Sequence, residues 1–197
     1  MTRAAVGFTV KSGWACAVLV VGSPALPALV ESRRVELSDP ENPDSRQPYH
    51  AGFGTARGAG RELSTLVSSI KRFGRSSVTR LLRDYQSGHT VCGTGVVVGS
   101  LIDPATIAND HIRIHALEGQ LFRGVVEDAA RRRGVRCVLW RERDLVGEAV
   151  KALKRPEKDL RGIVSALGRD VDGPWRAEQK AAALAAWLVL AGGSRGR

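Results

Sequence analysis

Few side chains in this sequence are spaced for chemistry. In the segment NDHIRIHALEGQLF, His111, His115, Glu118 and Phe122 recur at intervals of four, three and four, so they share one stripe of a helix. Histidines at i and i+4 are a known zinc spacing, but the internal Glu of the zincin H-E-x-x-H pattern is missing. His115 and Glu118 form an i,i+3 pair suited to proton transfer or phosphate contact; the plainer reading is a solvated helix shoulder. Asp103, in SLIDPAT, is either a metal ligand on a loop or, as Asp before Pro, ordinary turn chemistry. Glu178 shares a helical face with Ala182, Ala185 and Val189. It either complements the helix dipole or belongs to a site. GTGVVVGS is no phosphate loop: it lacks the Lys and Ser/Thr of the Walker pattern, and its glycines lie within a strand, where close packing explains them.

The cations are more plentiful. Lys plus Arg number 30 against 20 Asp plus Glu, a formal charge of +10. Arginine dominates, and its fork matches phosphate geometry. This balance suits a polyanionic partner, or simply keeps the chain soluble. Arg131, Arg132 and Arg133, with Arg141 and Arg143, flank an apolar run at 135–140. With Lys151, Lys154 and Arg155 they are candidates to track a phosphate backbone along one edge. With only four Trp, two Tyr and four Phe, base stacking is poorly supported. Cys16, Cys92 and Cys137 each sit in an apolar, strand-like run, and none are close enough in sequence for a zinc pair. They read as buried, reduced thiols of a cytoplasmic protein.

The elements that must position these groups follow from periodicity. Residues 4–21, AAVGFTVKSGWACAVLVV, resemble the apolar centre of a secretion signal, but Lys11 and Ser12 interrupt it. Val6, Phe8 and Val10 alternate, as do Ala15, Ala17 and Leu19, which makes two strands turning at Lys11-Ser12-Gly13. A third strand is expected over 28–37, and a Pro- and Gly-rich loop over 39–60. Leu63, Leu66, Val67, Ile70, Phe73, Val78, Leu81, Leu82 and Tyr85 mark a long helix, which Gly74 is expected to bend or break and Gly88 to end. TVCGTGVVVGS predicts a fourth, central strand. Residues 109–133 predict a helix capped by Gly134, and VRCVLW a fifth strand. Short helices are expected at 144–154 and 156–167, with Pro156 in the first turn of the second. A last helix should follow Asp172-Gly173-Pro174. No run approaches the roughly 18 apolar residues of a membrane span.

The resulting β-β-β-α-β-α-β-α order resembles the ribonuclease H-like superfamily, and within it the RuvC-type Holliday-junction resolvase branch. VGFTVKSGWACAVLV is similar to that branch's G-x-D-x-x-x-x-x-G opening, VKALKRPEKDLRGIVSALG to its two-helix piece after the fifth strand, and AEQKAAALAAWLVLA to its closing helix. The resemblance implies one α/β domain over 1–191, a five-stranded mixed sheet flanked by helices; GGSRGR at 192–197 reads as a flexible basic tail. It also implies a nuclease centre using Mg²⁺ or Mn²⁺ held by an aspartate on the first strand, a glutamate at the end of the fourth and aspartates at the start of the closing helix. Here Thr9, then Val98-Gly99-Ser100, then Glu178, Gln179 and Ala182 occupy those regions. One acid remains, and hard cations beside a phosphate need several carboxylates.

The expectation is therefore a RuvC-like protein that binds structured or branched DNA with a degenerate nuclease site. The alternatives are an active metal-dependent endonuclease rebuilt from Glu178, Asp103 and Glu118 with His115 assisting, and a domain that keeps only the fold. A homodimer is a candidate assembly; a membrane is not a candidate partner.

Overall fold

The computed structural model describes residues 1–52, 55–169, 171 and 173–192. Asp172 and the tail from 193 onward, both named above, lie outside the described residues.

Strands β1 (Thr2–Lys11), β2 (Trp14–Gly22) and β3 (Pro27–Glu36) form an antiparallel meander. The first turn is tight: Gly13 has φ +82°, and its carbonyl accepts the backbone N–H groups of Leu37 and Ser38 at 2.8 and 3.1 Å. A Cβ at Gly13 would stand 2.8 Å from Ser38 Oγ, so both φ and space favour glycine. The opening stretch is thus folded sheet, with Ala4, Ala5, Val6 and Phe8 fully buried.

The 39–60 segment is more ordered than a Pro- and Gly-rich composition suggests. It contains a 3₁₀ turn (Pro43–Ser45) and a small antiparallel ribbon of β4 (His50–Gly52) and β5 (Thr55–Ala56). Helix α1 (Arg61–Gly88) follows and is continuous through Gly74. That glycine provides closeness: a Cβ there would meet Leu37 O at 2.5 Å and Val125 Cγ1 at 2.8 Å. Then come β6 (His89–Val98), α2 (Asp110–Arg132), β7 (Cys137–Arg141), α3 (Glu142–Leu153), α4 (Glu157–Leu167) and α5 (Ala177–Leu190). Asn109 caps α2 by accepting from Ile112 N at 3.0 Å, and Gly134 leaves the helix with φ +68°. Pro156 is the N-cap of α4, one position earlier than expected.

The main sheet has the order β3-β2-β1-β6-β7, with β1, β6 and β7 parallel. Alternation along β1 sends Ala4, Val6 and Phe8 towards α1 and α2, and Ala5 towards α3, α4 and α5. Both faces are covered, which explains the nearly continuous apolar run of β1. From Ala182 to Leu190 every residue of α5 is buried, the pattern of a central helix. It lies close because the strands beneath it carry Gly7 and Gly95: a Cβ on Gly7 would stand 1.7 Å from Ala182 O, and one on Gly95 2.7 Å from Ala185 O. Among the described residues, no helix is long and apolar enough to cross a membrane.

Candidate functional site

The parallel strands β1 and β6 end together, with Thr9 opposite Val97. The chain leaves β1 to one side and returns through β6 on the other, and in open α/β sheets ligands sit outside such strand ends. A cleft of about 400 Å³ lies there, its polar lining drawn from Thr9, Lys11, Ser12, Ser100, His115, Arg123 and Glu142. Ile102, Ile107, Ile112 and Phe122 give it an apolar wall.

Thr9 is buried, and its Oγ1 donates to the Glu178 carbonyl at 2.9 Å. The hydroxyl therefore faces protein backbone and fastens the first turn of α5 to β1. The Glu178 carboxylate lies 4.0 Å from Lys11 Nζ, a half-exposed ion pair of modest strength. Its place in the first turn of α5 also complements the helix dipole. So the three regions singled out by sequence, Thr9, Val98–Ser100 and the start of α5, meet at one end of the sheet with one carboxylate among them.

The stripe on α2 passes from solvent into the core. His111 and His115 are exposed, Glu118 is 1% exposed and Phe122 is fully buried. Glu118 Oε1 lies 2.8 Å from His50 Nδ1, and its Oε2 accepts from Ser12 Oγ at 3.5 Å and lies 4.0 Å from His115 Nδ1. Burial pushes the Glu118 carboxyl above its ordinary range, opposed by the hydrogen bond and charge of His50 and, less, by His115 and Ser12. The His50–Glu118 contact ties the β4–β5 ribbon to α2. It also brings His50 beside His111 and His115, with ring centroids 6.5 and 5.1 Å away.

Asp103 behaves as turn chemistry: its Oδ1 accepts from Ala105 N at 3.0 Å, capping a 3₁₀ turn at Pro104–Thr106. Among the described residues, Glu178, Asp103 and Glu118 do not converge on a common cation position. The group of metal-ligating side chains that does converge is His50, His111 and His115.

The basic candidates divide between the two ends of the edge strand β7. Arg141 and Arg143 stand at its carboxyl end, the end of the cleft, and both contact Asp144. Arg131 and Arg132 lie at the other end of the strand, which is about 13 Å long, and both reach Asp128. Arg133 bonds Gln86 Oε1 there. Lys151 pairs with Glu148, Arg155 donates to Ala25 O beyond the end of β2, and Lys154 holds a left-handed φ of 52° after α3. The cations nearest the cleft, Lys11 and Arg123, were not singled out from sequence, nor were Ser12, His50 and Glu142. His50 carries no usable signal, since it lies in the loop segment 68 residues before its partner Glu118. Lys11 could have been found: it is the last residue of β1, two positions after Thr9 on the same strand.

No protein-family model and no curated protein sequence matches the chain. Solved structures do. Thermus thermophilus RuvC superposes with a TM-score of 0.55 at 15% identity, covering 93% of this chain and 91% of that one. T. thermophilus RuvC in complex with Holliday junction substrate gives 0.57 at 13% identity, covering 94% and 90%. The fold is the ribonuclease H-like fold of RuvC. Helices α3 and α4 pack with α5 on one face of the sheet.

Proposed function

We propose that this protein captures structured nucleic acid, branched DNA foremost, at the strand-end cleft, with metal-dependent cleavage lost. The observation carrying this reading is Thr9. Where the resemblance calls for a carboxylate, a buried hydroxyl donates to the Glu178 carbonyl, and Lys11 offsets the remaining Glu178 charge. Two divalent cations beside a phosphate need several carboxylate oxygens, and among the described residues the acids named from sequence do not share one cation position. Beside the one carboxylate of Glu142, the cleft lining offers donors: Lys11, Arg123, Ser12 and Ser100. Arg141 and Arg143 extend the positive charge along the same edge. The neighbouring fold of RuvC, solved with a Holliday junction substrate, supports nucleic acid as the ligand class. The reading places the protein in the cytoplasm, with Cys16, Cys92 and Cys137 as free thiols.

The test is binding to a four-way junction and to a linear duplex across a salt series. Four phosphate contacts, by Lys11, Arg123, Arg141 and Arg143, give a slope of log affinity against log salt of about −3 to −4. Replacing Lys11 and Arg123 by Ala should flatten it by about 2. A flat salt dependence refutes phosphate capture and leaves a domain that keeps only the fold. One observation favours a second reading: Glu142 lines the same cleft as Thr9. Junction cleavage with Mn²⁺ or Mg²⁺ that disappears in Glu178→Ala would establish an active nuclease in place of a capture protein.

A further inference from the structure

His50, His111 and His115 come from different parts of the chain, yet each presents a ring nitrogen within 4.8 Å of the other two. The rings of His111 and His115 stand edge to face, with centroids 4.6 Å apart. We propose that these three histidines form a binding site for a transition-metal dication of the Zn²⁺ class, with an open coordination position facing solvent.

Three features of the structure support the site. Three neutral imidazoles are a borderline-soft ligand set, which selects Zn²⁺, Co²⁺ or Ni²⁺ over Mg²⁺. Glu118 stands behind them in the arrangement that orients metal-bound histidines: its buried carboxylate lies 2.8 Å from His50 Nδ1, and the tautomer that donates Nδ1–H to it leaves the Nε2 lone pair of that ring for the ion. The same carboxylate reaches His115 at 4.0 Å, and its ion-pair contacts are both histidines, so a dication on the rings would supply its balancing charge. Finally, the rings border an open hollow of about 820 Å³ whose walls include Asp44, Gln47 and Arg57, leaving room for a water or phosphate oxygen in the fourth position.

Closing on the ion requires little movement. Zinc–nitrogen bonds of about 2.0–2.1 Å in a tetrahedron place the nitrogens about 3.4 Å apart. The widest pair must therefore close by roughly 1.4 Å, within reach of side-chain rotation for the exposed His111 and His115. His111 and His115 lie one helical turn apart on α2, and the His50–Glu118 bond carries the third ligand to them. Because His115 also lines the strand-end cleft, the ion would sit at its rim. The site does not depend on the proposed nucleic-acid function, since its test reads metal alone.

The test is zinc binding by the full-length protein after removal of metal, measured by competition with a chromophoric chelator. The wild type should bind one equivalent. His111→Ala and His115→Ala, both at exposed positions, should each weaken binding at least 100-fold. Glu118→Gln should weaken it about 10- to 100-fold, as changes behind metal-bound histidines do. His89→Gln, which alters the fourth histidine of the chain, should change nothing. Co²⁺ should give the intense visible bands of a four- or five-coordinate site, and Mg²⁺ should not compete. Zinc affinity unchanged in the His111→Ala, His115→Ala double variant would overturn the proposal, as would a wild type that binds less than half an equivalent.

Discussion

Substituting Gly7 by Ala tests the contact that sets the position of α5. In the structure the new methyl would lie 1.7 Å from the Ala182 carbonyl oxygen and 2.6 Å from its carbon, where ordinary contact begins at 3.4 Å. Backbone stands on both sides of the clash, so no rotamer relieves it. The helix must retreat by about 1.7 Å, and interiors packed at crystal density do not absorb that locally. Overpacking costs about 1–3 kcal/mol where side chains can adjust. Here the retreat also loosens Ala183, Trp187 and Leu188, all buried, so the loss should reach about 3 kcal/mol or more. With a urea slope of about 2 kcal/mol/M, the unfolding midpoint should fall by about 1.5 M. The displaced helix should also part Glu178 O from Thr9 Oγ1, now 2.9 Å apart, and weaken binding at the cleft. Gly162→Ala is the control. That glycine is exposed on α4 with nothing within 4 Å of an added Cβ, so the change should stabilise by about 0.5–1 kcal/mol. A Gly7→Ala midpoint within about 0.2 M of wild type would show that α5 is not held by this contact.

Two further outcomes follow from the charged and thiol groups. Desolvation raises the Asp128 carboxyl, but hydrogen bonds from Arg132, Arg131 and Arg75 outweigh it and lower the pKa to about 2. A depressed carboxylate contributes stability above its unfolded pKa and loses it as pH falls, so the window here is pH about 4 down to about 2. The pair with Arg75 joins α1 to α2, and after screening the whole group contributes at most about 1 kcal/mol. Asp128→Asn should flatten the acid limb of a plot of unfolding free energy against pH; an unchanged limb would contradict the assignment. Burial pushes the Cys16 and Cys137 thiols to about 11. At pH 8 a thiol reagent should therefore modify them at least about 100-fold more slowly in the native protein than in denaturant, where all three cysteines react. Rapid native labelling of either would show that its strand opens.

The main elements were legible because each obeys a local rule. Alternation in VGFTV and ACAVL, with Ser-Gly between them, is enough for a hairpin. The 3.6-residue repeat from Leu63 to Tyr85 is enough for a helix, and an Ala-rich segment without a polar face is enough for a buried one. The order of such elements then narrows the fold. Gly74 does not break α1, because the same residue type serves a break and a close approach. What separates the two is whether Leu37 and Val125 lie against it, and no local pattern carries that information. The ribbon at His50–Ala56 was missed for a similar reason, since its strands are too short to show a period.

The sequence by itself determined the strands of the main sheet, the poverty of carboxylates at its strand ends and the surplus of cations, because composition and short-range periodicity are properties of neighbouring residues. Only the tertiary structure decided which groups share a site. It turned Thr9 towards Glu178 and directed Asp103 into a turn. It also separated Arg131 from Arg141 by the length of a strand and carried His50 across 68 positions to Glu118. The physical reason is that ligand sets and ion pairs act over a few ångströms in space, and burying both faces of the sheet fixes which distant segments come that close.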